Sequence, residues 1–198
     1  MELKIRYSEK SDLTFIDHLQ KQNAEDLSFY PKQVFEREID KQRILLALVN
    51  NAHAGYLYHG SFDSKDLKIH QACIEYDLRG NWYGAGLVKT LEDMCGLSFV
   101  NGITLRCGSD ISANNFWKLM DFKCIDIQKG GVRRMRDINV WHKVLREDMF
   151  GYLNLEPSKK KKDSSVWRKN YKKYGLQNSM LRGQALLDYR KKIEEEND

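Results

Sequence analysis

The stretch IHQACIEYDLRGNWYGAGLVKTL, residues 69–91, predicts a buried strand, a glycine-containing turn and a helix in direct succession. Three glycines, Gly80, Gly84 and Gly86, separate the apolar strand residues from the run that continues as a helix. The first N–H groups of a helix have no partner within the helix and lie at the positive end of its dipole. Glycines let the backbone approach an anion closely there, and Arg79 adds a positive charge at the rim. The stretch therefore predicts a phosphate-binding turn, with an ordinary strand-to-helix turn as the alternative.

A second informative segment, DISANNFWKLMDF, follows at residues 110–122. Together the two segments resemble the GNAT superfamily of acyl-coenzyme A-dependent N-acyltransferases. The first motif of that family is Gln/Arg-x-x-Gly-x-Gly/Ala, and here Arg79, Trp82 and Gly84 stand at its marked positions, with Trp82 in place of the first glycine. The second motif is Asn-x-x-Ala, an aromatic residue and Gly-Phe, and its positions are occupied by Asp110, Ala113, Trp117, Asp121 and Phe122. The match covers residues 1–146.

The resemblance implies a fold, a cofactor and a set of binding residues. The fold is α/β, a GNAT-like mixed central sheet with helices on both faces. The cofactor is acetyl-coenzyme A or another acyl-coenzyme A. Its binding residues in the first segment are Ile74, Tyr76, Arg79, Gly80, Asn81, Trp82, Tyr83, Gly84, Ala85 and Gly86, and those in the second are Asn114, Asn115 and Trp117. For Asn114 and Asn115 the alternative role is to cap a short helix.

Acyl transfer also needs a hydrogen-bond donor for the thioester oxygen and a base for the amine. In the family the donor is a main-chain N–H on the fourth strand, which corresponds here to residues 74–76. Glu75 and Asp77 are the candidate bases, and surface carboxylates paired with a neighbouring cation are the alternative. The family's second motif often supplies a tyrosine that protonates the thiolate. Trp117 replaces it, and an indole N–H is too weak an acid, so Tyr76 or Tyr83 substitutes, or the thiolate leaves unaided.

The hydrophobic pattern predicts the order strand, two helices, three strands, helix, strand, helix and two strands over residues 1–150. The fourth strand is expected at residues 67–77 and the following helix at 83–99. Composition changes at Gly151, and residues 151–198 are predicted to form a basic helical extension.

Positive charge is concentrated in that extension. Residues 1–150 hold 21 Lys+Arg and 21 Asp+Glu, whereas residues 151–198 hold 12 Lys+Arg and 7 Asp+Glu. The formal charge of +5 therefore lies in the extension. Such asymmetry is typical of nucleic-acid or acidic-surface contact. The predicted contacts are Arg133, Arg134 and Arg136 in a turn, and Lys159, Lys160, Lys161, Lys162, Trp167, Arg168, Lys169, Lys172 and Lys173 in the extension. A solvated turn, a helix docked on the body and a homodimer contact are the alternatives.

Other classes of protein are disfavoured by composition. No apolar run is long enough for a transmembrane helix, and the N-terminus has no apolar signal core, so we expect a cytoplasmic protein without membrane contact. The four cysteines form no Cys-x-x-Cys pair and are expected to be reduced structural thiols. The five histidines have no metal-ligand spacing, so no metal site is expected.

Three functions remain open. The first is an N-acyltransferase that moves an acetyl group from acetyl-coenzyme A to an amine, with a nucleic-acid-associated target as one option. The second is a GNAT-derived DNA base-modification enzyme, similar to the Mom-type adenine modification proteins of phages. The third is a catalytically inactive GNAT-fold protein that binds nucleic acid. Trp82 and Trp117 favour the second and third functions, and the retained Arg79 and glycines favour the first.

Overall fold

The structure, a computed structural model, describes residues 2–98, 100–131 and 136–146. Arg133 and Arg134 lie outside the described residues, and so does the predicted extension with its nucleic-acid contacts: Lys159, Lys160, Lys161, Lys162, Trp167, Arg168, Lys169, Lys172 and Lys173. The domain boundary at residue 150 therefore stays a prediction.

Seven strands and four α-helices make up the described part of the chain. In chain order they are β1 (Leu3–Tyr7), α1 (Leu13–Gln22), α2 (Lys32–Asp40), β2 (Ile44–Val49), β3 (Ala52–His59), β4 (Asp66–Ile74), α3 (Tyr83–Gly96), β5 (Gly102–Gly108), α4 (Ala113–Leu119), β6 (Lys123–Lys129) and β7 (Asp137–Val144).

The strands form one mixed sheet in the order β1-β2-β3-β4-β5-β7-β6. Neighbouring strands are antiparallel except β4 and β5, which are parallel. The β2–β3 hairpin turns through Asn50 and Asn51, whose φ angles of 51° and 65° suit a tight two-residue turn. The chain from β4 to β5 instead passes through α3, as a parallel connection requires.

Helices cover both faces of the sheet. One apolar cluster joins α3 and α4 to one face, with Leu87, Val88 and Trp117 among its buried side chains. The other joins α1 and α2 to the opposite face, with Ile16 and Phe35 fully buried. β2 contributes to both clusters, and all six of its residues are buried.

The predicted order of elements and the helices on both faces are confirmed. The predicted end of the fourth strand is wrong, because β4 ends at Ile74 and a 3-10 turn occupies Tyr76–Leu78. In that turn the N–H of Leu78 donates to the carbonyl of Glu75 at 3.0 Å. Asp77 therefore lies in a turn and not on the strand.

All four cysteines are unpaired, as predicted, and three of them are buried. Burial raises the pKa of Cys73 and of Cys107 to about 11, so both remain thiols at neutral pH. None of the helices in the described part of the chain combines the length and apolarity that crossing a bilayer requires.

Candidate active site

The parallel strands β4 and β5 pair over part of their length and then separate. Four residue pairs join them, the last being Ile69 with Leu105, although the strands continue to Ile74 and Gly108. A β-bulge begins at the same point on the other edge of β4. His59 of β3 pairs with Ile69 and Tyr58 pairs with Gln71, which leaves His70 as the extra residue. Because a bulge bends the strand that carries it, β4 turns away from β5.

The separation of β4 and β5 opens a cleft of about 900 Å³. On one side of the sheet its lining comes from the start of α3 and from α4, including Gly84, Phe116 and Trp117. On the other side it comes from the loop between α1 and α2, including Asn23 and Tyr30. A cleft of this volume lies in the range of small-molecule and cofactor sites.

The edge of β4 that faces the cleft carries backbone N–H groups that have no partner strand in the described part of the chain. The N–H of Glu75 donates to the carbonyl of Ala54 in β3 at 2.9 Å. Since backbone groups alternate between the two edges of a strand, the N–H groups of Ala72 and Ile74 point away from β3, towards β5. β5 no longer pairs with β4 at this level, so these donors are directed into the cleft.

The first turn of α3 lies at the same cleft. The N–H of Gly86 donates to the carbonyl of Trp82 at 3.0 Å, which is the first hydrogen bond of the helix. The N–H groups of Gly84 and Ala85 precede that bond and have no acceptor within the helix. A Cβ at position 84 would be in contact with Phe116 Cζ at 3.5 Å, so glycine keeps side-chain atoms away from these N–H groups. This turn can receive an anion.

Solved structures resemble this arrangement, whereas no family model and no curated protein matches the sequence. Ard1 from Thermoplasma volcanium aligns with 74% of this chain and all of its own, at 12% identity and a TM-score of 0.67. The ribosomal-protein-S18-alanine N-acetyltransferase from Escherichia coli aligns with 76% of this chain and 99% of its own, at 14% identity and a TM-score of 0.63. The Salmonella typhimurium protein yncA, with its cofactor acetyl-CoA, aligns with 75% of this chain and 96% of its own, at 15% identity and a TM-score of 0.65.

The chain has the GNAT fold. The similarity to these acetyltransferases extends over about three-quarters of the chain at low identity, so it applies to the architecture. The GNAT-fold resemblance inferred from the two sequence segments is thereby confirmed at the level of fold.

In this GNAT fold Arg79 is held by three neighbours. Its Nε donates to the carbonyl of Ile74 at 3.1 Å, its Nη2 donates to Asn23 Oδ1 at 2.5 Å, and its guanidinium lies 5.3 Å from the ring centroid of Tyr76. Arg79 lines the cleft, and its role as a cation at the rim of a phosphate site stays a prediction. It also ties the end of β4 to the residue that follows α1.

The other predicted residues of this segment divide into two groups. One group lines the cleft: Ile74, Gly80, Trp82, Tyr83 and Gly84. The other group is not among its lining residues: Glu75, Tyr76, Asp77, Asn81, Ala85 and Gly86. Asn81 Nδ2 donates to the carbonyl of Leu78 at 3.2 Å and so stabilises the turn. At Gly86 a Cβ would lie 2.7 Å from Leu3 Cδ2, so glycine permits α3 to pack closely on β1.

In the second segment, Asn114 and Trp117 have different environments. The Nδ2 of Asn114 donates to the carbonyls of Gly108 and Ile111 at 2.7 Å, and its Oδ1 accepts from Asn139 and Trp141 at 2.9 and 3.0 Å. These bonds satisfy the amide by joining β5, the loop before α4 and β7, and none of them is the helix-capping bond of the alternative, since the N-cap of α4 is Ser112.

Trp117 is buried against Phe122, with ring centroids 5.3 Å apart, and lines the cleft. Asn115 is exposed and is not among the lining residues. Of the three residues predicted to bind the cofactor in the second segment, Trp117 is therefore the one that lines the cleft.

His70 is a site residue that the sequence reasoning did not select. It lines the cleft, and its ring stacks on Tyr58 with centroids 4.6 Å apart. Burial lowers the pKa of His70, and Lys68 and Arg43 lower it further, although Glu38 acts in the opposite direction. The imidazole is therefore neutral at pH 7. The sequence carried no signal for this role, since the bulge that turns His70 towards the cleft depends on pairing with β3.

Two buried amides fix the loop between α1 and α2 against β4. Gln71 Nε2 donates to Gln20 Oε1 at 3.1 Å and to the carbonyl of Ser28, and its Oε1 accepts from Tyr56 Oη at 2.8 Å. Gln20 in turn accepts from the N–H of Tyr30 at 2.7 Å and donates to its carbonyl at 2.9 Å. This network positions the wall of the cleft that faces His70.

Replacing Gln71 with methionine should lower the free energy of unfolding by about 1–3 kcal/mol, because it leaves buried partners unsatisfied at similar volume. Urea unfolding of the wild type and of Gln71→Met measures the difference. Gln42→Met, at a surface turn, is the control and should change stability little. An unchanged unfolding midpoint for Gln71→Met would contradict a stabilising role for the network.

Trp82 precedes α3 in the left-handed conformation, with φ 64° and ψ 9°, and its side chain is 65% exposed. Left-handed backbone is unfavourable for a bulky residue, and this side chain gains little from burial. We expect Trp82→Gly to raise the free energy of unfolding by about 1 kcal/mol. Trp82→Ala keeps a Cβ at the same φ and should give no such gain. Equal effects of the two substitutions in thermal unfolding would argue against backbone strain.

No group of three or more His, Cys, Asp or Glu side chains that could hold a metal ion occurs in residues 2–98, 100–131 and 136–146.

Proposed function

We propose that this GNAT-fold chain is an N-acyltransferase that moves an acyl group, acetyl in the simplest case, from acyl-coenzyme A to an amine. The observation that carries the proposal is the cleft, where unpaired N–H groups of β4 and the N-terminus of α3 face one cavity. The similar structure of yncA holds acetyl-CoA as its cofactor, which supports the choice of acyl donor.

The residues of the cleft fit such a donor. A pyrophosphate can accept hydrogen bonds from the N–H groups of Gly84 and Ala85, and the positive end of the helix dipole favours its charge. Gly84 keeps that approach open, and Arg79 supplies positive charge at the rim. The donor, when bound, supplies an activated thioester carbonyl. These contacts of the turn, like those predicted for Gly80, Asn81, Trp82 and Tyr83, remain proposals.

The unpaired N–H of Ile74 is suited to stabilise charge on the thioester oxygen. A backbone donor fixed in a strand needs no reorganisation as negative charge develops, which makes such groups effective in acyl transfer. Ile74 falls within the region that the family resemblance implies for this role. Its own carbonyl accepts from Arg79 Nε at 3.1 Å, so the strand end is held in position.

His70 is the group best suited to accept the proton of the amine. It lines the cleft and is neutral at pH 7, whereas Glu75 and Asp77 are not among the lining residues. The amine nitrogen forms the amide bond as the carbon–sulfur bond breaks, and the sulfur leaves as thiolate. The proton lost by the amine passes to an imidazole nitrogen of His70. Glu75 remains a second candidate that would act through water.

Calorimetric titration of acetyl-coenzyme A into the full chain tests the proposal. We expect a dissociation constant in the micromolar range, which corresponds to about −8 kcal/mol. Acetyl transfer is then followed by release of coenzyme A thiol in the presence of amines. Failure to bind at millimolar acetyl-coenzyme A would overturn the acyltransferase proposal and leave the two nucleic-acid functions.

A nucleic-acid-associated target is a second proposal, and it rests on the composition of residues 151–198. Its test is titration of DNA into the full chain at several salt concentrations, since phosphate contacts make affinity strongly salt-dependent. Glutamine replacements at Lys159 to Lys162 should reduce the salt dependence. DNA binding without acetyl-coenzyme A binding would favour the Mom-like or the inactive binding function. The homodimer contact and the cytoplasmic location also remain predictions.

A further inference from the structure

The cleft is far more basic than the body of the protein. Among the described residues that line it, five carry positive charge and one, Asp26, carries negative charge; the five are Lys68, Arg79, Arg106, Lys129 and Arg136. Residues 1–150 as a whole hold equal numbers of acidic and basic residues. The cleft therefore carries an excess of positive charge although residues 1–150 are neutral as a whole, and this excess attracts anions.

Two of these cations, Lys68 and Arg106, lie on the face of the sheet that carries α1 and α2. Lys68 pairs with Thr104 across the parallel strands, and Arg106 follows Thr104 by two residues, so all three side chains share one face. Their neighbours Leu105 and Cys107 belong to the core on the opposite face. An acyl donor seated on the start of α3 lies on that opposite face, so Lys68 and Arg106 are on the side left for the acceptor.

His70 lies on the same face as Lys68 and Arg106, because it stacks on Tyr58 of the α1–α2 cluster. The proposed proton acceptor and these cations thus share one mouth of the cleft. Lys68 and Arg106 are both exposed, and neither forms an ion pair with any carboxylate in the described ranges.

Arg136 adds a partly buried guanidinium to this mouth. A Cβ on Gly108 would lie 2.9 Å from Arg136 Cδ and 3.0 Å from its Nη1, so the glycine makes room for the arginine on the Arg106 face. Arg136 Nε is 3.5 Å from Asp110 Oδ1, whereas Nη1 is buried and has no hydrogen-bond partner among residues 2–98, 100–131 and 136–146. A buried donor without a partner is unfavourable, so Arg136 gains hydrogen bonds if its guanidinium rotates towards an anionic group in the cleft.

We propose that the acceptor is an amine that carries a carboxylate close to the reacting nitrogen, and that Arg106 and Arg136 bind this carboxylate while Lys68 adds attraction. This inference rests on the proposed function, since it specifies the acceptor of the same cleft. Arginine suits the role because its planar guanidinium binds a carboxylate through two parallel hydrogen bonds. An acidic peptide N-terminus and a free acidic amino acid share this chemistry.

Acceptor specificity tests the proposal. Acetyl transfer is measured as thiol release with peptides that differ only in their second residue, which is Glu or Gln, and with free glutamate and glutamine amide, which lacks both carboxylates. We expect the wild type to prefer the acidic member of a pair by at least about tenfold in kcat/KM, because a carboxylate makes charge-assisted hydrogen bonds that an amide cannot. The pair with the larger preference, peptide or amino acid, identifies the source of the carboxylate.

The preference should depend on the two arginines. We expect the ratio of kcat/KM for the acidic acceptor to kcat/KM for the amide acceptor to fall towards one in Arg106→Gln and in Arg136→Gln. The control is Lys32→Gln, which removes a cation of α2 outside the cleft, and in this variant the ratio should stay at the wild-type value. Gly108→Ala, which displaces Arg136, should reduce the ratio as well. Raising the salt concentration should also reduce the ratio in the wild type.

Three kinds of outcome would overturn the inference. Equal rates with acidic and amide acceptors, or a preference that both arginine variants keep, exclude a carboxylate site formed by these residues. Strong competition by a single-stranded DNA oligomer against the acidic peptide assigns the cations to a phosphate backbone instead. Absence of acetyl-coenzyme A binding and of transfer to any amine overturns the proposed function, and the inference then fails with it. The results on acceptor preference and on DNA competition leave the proposed function intact.

Discussion

Replacing His70 with glutamine should lower kcat/KM for acyl transfer by at least about a hundredfold, because general-base catalysis contributes that much or more. Glutamine retains polarity and approximate size but cannot accept the proton of the amine. Thiol release with a fixed amine measures the effect, and acetyl-coenzyme A binding should change little. His18→Gln is the matched control, since His18 is exposed on α1 outside the cleft.

The pH dependence of the rate provides a second measurement on His70. Burial and Lys68 lower its pKa below the ordinary value of 6.5. The neutral imidazole is the active form, so the rate should be retained as pH falls to 6.5 and should decline only below it. His70→Gln should lose this acidic limb. If the His70→Gln variant keeps most of its activity and the wild-type pH profile, His70 is not the base, and Glu75 becomes the leading candidate.

An aspartate at position 84 should weaken acetyl-coenzyme A binding by about a hundredfold, since it brings a second negative charge against the pyrophosphate. A Cβ at position 84 makes ordinary contacts, 3.5 Å from Phe116 and 3.6 Å from Ile74, so the substitution introduces no clash at that atom. A carboxylate in the first turn of α3 also interacts favourably with the helix dipole, so the fold should be preserved.

Gly84→Asn is the matched control for this charge effect. It has nearly the same shape as aspartate without the charge, and it should weaken binding by less than about tenfold. Calorimetric titration of both variants, with thermal unfolding to verify the fold, separates charge from size. Equal losses of affinity in the two variants would mean that steric exclusion dominates. Unchanged affinity in both variants would mean that the pyrophosphate does not bind at the start of α3.

Local pattern was sufficient to predict the order of the elements and the turn before α3. Hydrophobic periodicity depends on which residues face the core, and this is encoded in neighbouring positions of each strand or helix. Gly84 was selected because its neighbours along the chain indicate a strand, a turn and a helix. The end of β4 was harder to predict, since Glu75 and Asp77 continue an alternating pattern although the chain forms a 3-10 turn at Tyr76–Leu78.

The chain sequence by itself determined the mixed α/β sheet, the helices on its two faces and the glycine turn at the start of α3. Only the tertiary structure decided that β4 leaves β5 after Ile69, that His70 is the extra residue of a bulge, and that Asn114 is satisfied by β5 and β7. It also decided that Arg136 lies over Gly108, on the face that carries Arg106. The physical reason is that the first group of features follows from the spacing of residues within one element. The second depends on strand register and on hydrogen-bond partners that are distant along the chain.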